Sequence, residues 1–175
     1  DSITTGDYNV GVGDNALTNV TSGAQNIAIG TSALYNNTTG IYNTSVGHQS
    51  LNSNTTGNNN TANGYQALKA NTLGGGNTAV GDTSMYSNTT AANNTAIGQA
   101  SLYTNTTGSW NVALGRRTLF SNTTGTSNTA VGYKALYFNT TALSNTATGR
   151  ESLYYNTTGG DNVANGYYAL RQNTT

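Results

Sequence analysis

The sequence predicts an all-β protein, a parallel β-solenoid (β-roll) of ten 17-residue coils that forms a single domain over residues 1–175. Three observations predict this fold. An Asn, and a Gly four residues after it, recur every 17 residues without insertion or deletion. A short run of β-branched and small residues, typical of strands, separates each Asn from its Gly. Strict repetition at this period indicates stacked units that bury their core only against neighbouring units.

Each coil begins at an anchor Asn, and coil positions 1 to 17 are counted from it. The consensus over one coil is N-T-A-V-G-x-x-A-L-Y-x-N-T-T-G-x-x. A buried Asn at a corner can bond backbone groups of its own coil and of the next, which would explain the absence of insertions. We therefore predict structural corner residues at Asn26, Asn43, Asn60, Asn77, Asn94, Asn111, Asn128, Asn145 and Asn162.

The segment N-T-A-V-G is predicted to be a short strand. Position 2 is β-branched in every coil, position 3 is small and position 4 is mostly apolar. Because side chains alternate along a strand, positions 2 and 4 share one face and position 3 lies on the other. We expect positions 2 and 4 to form the apolar face, and the small position 3 to let another chain approach closely. This pattern favours lateral oligomerisation, most simply a trimer.

Position 9 is Leu in nine coils and Met85 in the other, so it is predicted to be the main core ladder. Position 10 beside it is rich in aromatic residues. If this segment is a strand, positions 9 and 10 face opposite ways, whereas one helical turn would place both on a broad face. Both alternatives are open from the sequence, because the following N-T-T-G can end a strand or a helical turn.

Both ends of the chain fall in the N-T-T-G part of the repeat, at residues 3–6 and 173–175. Solenoids normally carry atypical polar coils as caps, and none is visible in this sequence. We therefore expect a solenoid uncapped at both ends, either part of a longer fibre or a subunit that stacks head to tail.

Composition predicts that this protein is not an enzyme and holds no cofactor or metal. Charged residues make up 7% of the chain, the net charge is zero and there is no Cys. These features also argue against a nucleic-acid partner, and no apolar run is long enough to cross a membrane. His48 is the only histidine and lies in a variable position. Apart from Asp1, the acidic residues are scattered over different coils: Asp7, Asp14, Asp82, Glu151 and Asp161.

Three sets of repeated polar or aromatic residues are candidate binding or modification sites. The N-x-[ST] pattern marks candidate N-glycosylation sites, with corner chemistry as the alternative, at Asn37, Asn54, Asn88, Asn105, Asn122, Asn139 and Asn156. The aromatic position offers a candidate ladder for glycan contact at Tyr35, Tyr86, Tyr103, Tyr137 and Tyr154. The Thr pairs could form a hydroxyl array for ice or a polysaccharide, although adjacent side chains point to opposite sides.

The coil that begins at Asn128 reads N-T-A-V-G-Y-K-A-L-Y. Its first five residues resemble the S-V-A-I-G strand of trimeric autotransporter adhesin heads, whose repeat is shorter. The whole unit resembles the repeats of phage tail-fibre and bacterial surface fibre proteins. The resemblance implies a left-handed, usually trimeric β-roll.

From this resemblance we expect a structural segment of an extracellular, cell-surface or virion fibre. It would assemble laterally, head to tail, or both, with host-surface glycan as a further partner. The alternative is a binding module that contacts glycans or ice through its Thr or Tyr ladders.

Overall fold

The computed structural model describes residues 6–175, in which ten short strands form one parallel sheet in chain order. Each strand pairs with the next in a register of one repeat, as Val10 pairs with Ile27. The predicted all-β solenoid is confirmed, whereas its left-handedness stays a prediction. The strands are β1 (Val10–Val12), β2 (Ile27–Ile29), β3 (Thr44–Val46), β4 (Thr61–Asn63), β5 (Thr78–Val80), β6 (Thr95–Ile97), β7 (Val112–Leu114), β8 (Thr129–Val131), β9 (Thr146–Thr148) and β10 (Val163–Asn165).

Positions 6 to 11 form consecutive turns and the described residues contain no helix, so both alternatives for this segment, a strand and a helical turn, are wrong. Positions 7 and 9 both adopt a left-handed backbone conformation, with φ of 56° at Ser32 and 49° at Leu34. The Ser32 N–H donates to the preceding coil, at 2.8 Å from the Asp14 oxygen, while the Leu34 N–H donates to the next coil, at 3.1 Å from the Ser50 oxygen. The chain therefore turns while its backbone remains hydrogen-bonded to both neighbouring coils.

The core consists of positions 3, 8 and 9. Position 9 from Leu17 to Leu153 is 4% exposed or less, and the Ala residues at position 3 are buried as well, whereas Leu170 in the last coil is 51% exposed. A β-carbon added at Gly11 would lie 3.5 Å from Leu17 Cδ1, which shows that position 3 faces the Leu ladder across the coil.

The predicted orientation of the strand is therefore wrong. Ala28 is fully buried, whereas Ile27 and Ile29 on either side of it are 40% and 41% exposed. The physical reason is space, because the Leu side chain of position 9 already fills a narrow interior and leaves room only for a small residue opposite it. Position 3 consequently offers no surface to a second chain, and the close approach that its small size allows takes place inside the coil.

Two features of position 5 could account for its invariant Gly. Its φ lies in a range that side-chain-bearing residues rarely adopt, for example 133° at Gly115. A β-carbon at Gly115 would also lie 2.8 Å from the Gly132 carbonyl oxygen of the next coil. Backbone conformation decides between the two, because position 15 approaches the next coil as closely and still accepts Ala91 and Ala142.

Two ladders of buried Asn side chains connect the coils, as predicted for the anchor position. Asn43 Oδ1 accepts from the backbone N–H of Asn60 in the next coil at 3.0 Å. Asn43 Nδ2 donates to Gly57 O in its own coil at 2.8 Å. The second ladder runs along position 12, where Asn54 Nδ2 donates to Asn37 Oδ1 at 2.8 Å. Every buried side-chain nitrogen and oxygen of the described residues has a partner, so the ladders satisfy the polar groups that stacking buries.

Candidate binding surfaces

The outer face of the sheet is a regular surface that runs through all ten coils. It carries positions 2 and 4 of every coil, which are mostly Thr, Val and Ile. Ile97 is 44% exposed and Val163 is 73% exposed, while Val80 and Val131 are half-buried between their neighbours. Ten in-register strands about 4.8 Å apart make this face an ordered array of β-branched side chains. We call positions 2 and 4 of β1–β10 the sheet face.

The Thr pairs are divided between two environments. The first Thr is partly buried at most sites, and its hydroxyl bonds the next coil, as Thr106 Oγ1 donates to Thr123 O at 3.1 Å. The second Thr is exposed, as at Thr107 and Thr124, and Leu73 interrupts the row. Only one Thr of each pair is thus fully available to a ligand, which agrees with the alternation expected from the sequence.

The candidate N-glycosylation sites are not presented to solvent. All seven Asn side chains belong to the position-12 ladder and are fully buried. A glycan acceptor must be reachable at the surface, and the folded coil keeps these amides inside. The prediction of surface acceptors is therefore wrong, and the corner alternative describes the residues: Asn37, Asn54, Asn88, Asn105, Asn122, Asn139 and Asn156.

The aromatic residues of position 10 stack on one another. From Tyr86 through Tyr103, Phe120 and Tyr137 to Tyr154, successive ring centroids lie 5.1–5.3 Å apart and the rings are within 16° of parallel. The faces of the inner rings are therefore turned toward neighbouring rings, which leaves mainly ring edges for a ligand. Tyr35, the remaining member of the predicted glycan-contact ladder, has Thr18 and Asn52 at the same position of its neighbouring coils.

A cluster of cations lies beside this aromatic stack in the last four coils. Five of the six Lys and Arg residues lie there, all at positions 6, 7 or 10. We call them the basic stripe: Arg116, Arg117, Lys134, Arg150 and Arg171.

Aromatic rings line the basic stripe. Lys134 Nζ lies 5.3 Å from the centroids of Tyr133 and Tyr137, and Arg150 Cζ lies 5.5 Å from that of Tyr133. Arg171 Cζ lies 4.9 Å from the Tyr168 ring. These distances are those of cation–π contacts, so the rings help to position the charged groups.

Glu151 is the one carboxylate within the basic stripe. It is 7% exposed and pairs with Arg171 at 3.0 Å and with Arg150 at 3.6 Å. The hydrogen bond to Glu151 raises the pKa of the Arg171 guanidinium, and a hydrogen bond with Tyr167 raises the pKa of Tyr168. Five cations less one carboxylate give positions 6 to 11 of these four coils a net charge of +4, and Asp161 lies outside them at position 17.

The other titratable residues do not converge. His48 is exposed and stacks on Tyr65, with ring centroids 5.4 Å apart. The four described Asp residues, Asp7, Asp14, Asp82 and Asp161, are exposed on separate coils. Among residues 6–175 no group of three or more His, Asp or Glu side chains could hold a metal ion.

The basic stripe could have been predicted from the sequence, although the composition of the whole chain does not show it. The net charge of zero hides an uneven distribution, because the last four coils hold five of the six cations but only two of the six carboxylates, Glu151 and Asp161. Writing the coils under one another shows Arg116, Tyr133, Arg150 and Tyr167 at position 6 of successive coils. Charge counted by coil, and not over the whole chain, would have identified this region.

No protein-family model, curated protein or solved structure matches this chain. Within the described part of the chain, no helix has the length and apolar character that crossing a membrane requires.

Proposed function

We propose that this chain is a structural segment of an extracellular, cell-surface or virion fibre, a non-catalytic rod that associates laterally through its sheet face. The observation that carries the proposal is the contrast between the two faces of one strand. Position 3 is sealed inside the coil, while Ile29 and Ile97 at position 4 are exposed along the sheet. Val80, Leu114 and Val131 on the same face are half-buried between their neighbours and keep part of their apolar surface in solvent, so this regular surface is suited to packing against another rod.

The hydrophobic effect supplies the reason for association. Contiguous exposed apolar patches on soluble proteins commonly mark interaction surfaces. Positions 4 of β5 to β8 are aliphatic without interruption: Val80, Ile97, Leu114 and Val131. Packing these side chains against a second copy would remove them from water without disturbing a coil. A trimer is the assembly that the resemblance to adhesin heads implies.

Stacking along the axis is the second mode of assembly in this proposal. Backbone N–H and C=O groups at the edge of a parallel sheet can pair with a further strand. Each coil already bonds the next through its strand, its turns and its Asn ladders. The same bonds would join a further coil in register, which would extend the rod by about 4.8 Å per coil.

Matched charge substitutions test the lateral interface. Ile97→Lys with Leu114→Lys places two charges on the sheet face, and Thr107→Lys with Thr124→Lys places them on exposed position 14 of the same coils. Light scattering during size exclusion should give a trimer for the parent and the Thr variant, and a monomer for the sheet-face variant. The melting transition separates loss of assembly from loss of fold. A monomeric parent, or a sheet-face variant that still forms trimers, would contradict the proposal.

The exposed Thr row favours one alternative, a module that binds ice or a glycan. Thr90, Thr107, Thr124 and Thr141 are exposed in successive coils, so their hydroxyls repeat at the coil spacing. Measurement of thermal hysteresis and glycan-array binding tests this alternative. Activity that disappears in the Thr107→Lys, Thr124→Lys variant would support it, and absence of both activities would reject it.

A further inference from the structure

We propose that the basic stripe is a binding surface for a linear acidic polysaccharide, a polymer of sugars that carry carboxylate or sulfate groups. This inference goes beyond the role of the chain as a rod and does not require lateral assembly. It rests on where the five cations lie, on how little of their charge is neutralised, on how they are ordered, and on the aromatic rings around them.

The location of the cations favours an extended ligand. They lie in four consecutive coils and on the same series of turns, positions 6 to 11. Neighbouring coils are about 4.8 Å apart, so the stripe extends roughly 14 Å along the rod. Arg116 and Arg150 share position 6 and are separated by two coils, about 10 Å. A linear polymer lying along the rod could contact all of these coils.

The positive charge is largely uncompensated. Glu151 accounts for one of the five charges through its contacts with Arg150 and Arg171. Asp82, at position 6, is two coils away from Arg116, about 10 Å, which is comparable with the screening length at 0.1 M salt. The net charge of +4 is therefore available to an anionic partner.

The cations are also partly ordered before a ligand binds. Arg117 Cζ lies 5.9 Å from the Phe120 centroid, Lys134 is placed beside three Tyr rings, and Arg116 Nε donates to Gln99 Oε1 at 2.8 Å. Rings restrain the charged groups without neutralising them, in contrast with salt bridges. Ordering in the free protein lowers the entropic cost of binding.

The surroundings favour an acidic polysaccharide over single-stranded nucleic acid. Proteins that bind single strands stack bases on exposed aromatic faces. Here the faces of Phe120 and Tyr137 are turned toward neighbouring rings at 5.1 Å, so bases cannot stack there without separating the ladder. Tyr hydroxyls and Arg N–H groups beside one another instead offer hydrogen bonds to sugar hydroxyls and to carboxylate or sulfate oxygens.

Neutral substitutions that the repeat itself accepts test the proposal. Gln already occupies position 6 at Gln99 and position 7 at Gln49 and Gln66. Arg116→Gln, Arg117→Gln, Lys134→Gln and Arg150→Gln are combined in one variant, with Glu151 and Arg171 left intact. Lys69→Gln, which removes the one cation outside the stripe, is the matched control. Circular dichroism and the melting temperature report whether each variant is folded.

Binding is measured by biolayer interferometry against immobilised polygalacturonate, dextran sulfate, neutral dextran and an oligo(dT) strand. We expect the full chain to bind one or both acidic polymers, more weakly as salt is raised. The fourfold variant should bind at least tenfold more weakly, and Lys69→Gln should bind within twofold of the parent. Carboxylated and sulfated polymers in separate arms identify which anion is preferred.

Three results would overturn the proposal: equal affinity of the fourfold variant and the parent, equal binding of neutral dextran, or tighter binding of oligo(dT) than of either acidic polymer. If the fourfold variant does not fold, the single exposed substitution Arg116→Glu replaces it. That variant should weaken binding at least threefold, and unchanged binding would equally reject the proposal. Because the stripe lies outside the sheet face, lateral assembly can fail its test while this proposal passes, and the reverse.

Discussion

Coils 2–5 and coils 7–10, residues 26–93 and 111–175, share one interior but differ in their outer surfaces. Positions 1, 5 and 12 are Asn, Gly and Asn in all eight coils. At positions 6, 7 and 10, the earlier coils carry the single cation Lys69 and the later coils carry five. Stacking determines the interior because each buried group must match the coil above and below it. The outer positions are released from that requirement, so differences in function are to be sought there.

The largest effect should follow from removing an amide of the anchor ladder. In Asn111→Ala, the Asn128 N–H and the Gly125 carbonyl lose their buried partners. Each of these two unsatisfied groups costs about 1–3 kcal/mol, so the free energy of unfolding should fall by about 2–6 kcal/mol. Urea denaturation followed by circular dichroism measures the change. Asn63→Ala, at an exposed position 4, is the control and should stay within about 0.5 kcal/mol of the parent.

Two Leu residues compare the interior with the surface directly. Leu102 is fully buried, whereas Leu73, at position 14, is 58% exposed. Leu102→Ala should destabilise the fold by about 2–5 kcal/mol because it leaves a cavity in a narrow core. Leu73→Ala should cost less than about 1 kcal/mol. Similar losses in the urea midpoint for both variants would contradict the assigned core.

Gly115 at position 5 and Gly108 at position 15 compare two corners of the coil that differ in backbone conformation. Gly115→Ala forces a side chain into the φ of 133° and against the next coil, at a cost of about 1–3 kcal/mol. The β-carbon of Gly108→Ala would also approach the Gly125 carbonyl of the next coil, but Ala91 and Ala142 already occupy this position and its φ is not left-handed. Thermal denaturation should therefore show a clear loss for Gly115→Ala and a smaller one for Gly108→Ala. The reverse order would indicate that position 5 is not the more constrained corner.

The smallest of these effects concerns the aromatic stack. Phe120 has a stacked ring on each side, whereas Tyr35 has none at its own position. Phe120→Leu should cost about 1 kcal/mol more than Tyr35→Leu, since aromatic pairs contribute roughly 0.5–1.5 kcal/mol each and these rings are half-exposed. Melting temperatures of the two variants measure the difference. Equal shifts would mean that the ladder adds nothing beyond the burial of each ring.

The sequence predicted the features that repeat, because repetition exposes them. The Asn anchors, the Gly corners and the Leu ladder were assigned correctly from their period. Which face of the strand is buried was not predicted correctly, because alternation separates Ile27 from Ala28 without indicating which of them lies inside. The small size of position 3 predicts an interface from sequence alone, whereas at Ala28 it reflects the narrow space opposite the Leu ladder.

Other features depend on conformations that sequence patterns do not favour. Leu rarely adopts the left-handed conformation, so the φ of 50° at Leu119 is not expected from its propensity. The coil stabilises this conformation by burying the side chain and bonding the N–H of Leu119 to Ala135 O at 3.0 Å. The N-x-[ST] pattern is likewise typical of glycosylated surface residues, yet Asn122 lies inside because the turn directs position 12 inward. Only the path of the backbone distinguishes these cases.

Electron microscopy of the purified chain would test the central claim most directly, because it shows which face of the solenoid lies inside an assembly. We predict assemblies that are three rods wide, single or joined end to end, with about 54 kDa for each set of three 18.0 kDa chains and with Ile97 and Leu114 facing the shared axis. Isolated single rods, or trimers packed through the aromatic ladder with the sheet face in solvent, would contradict the account.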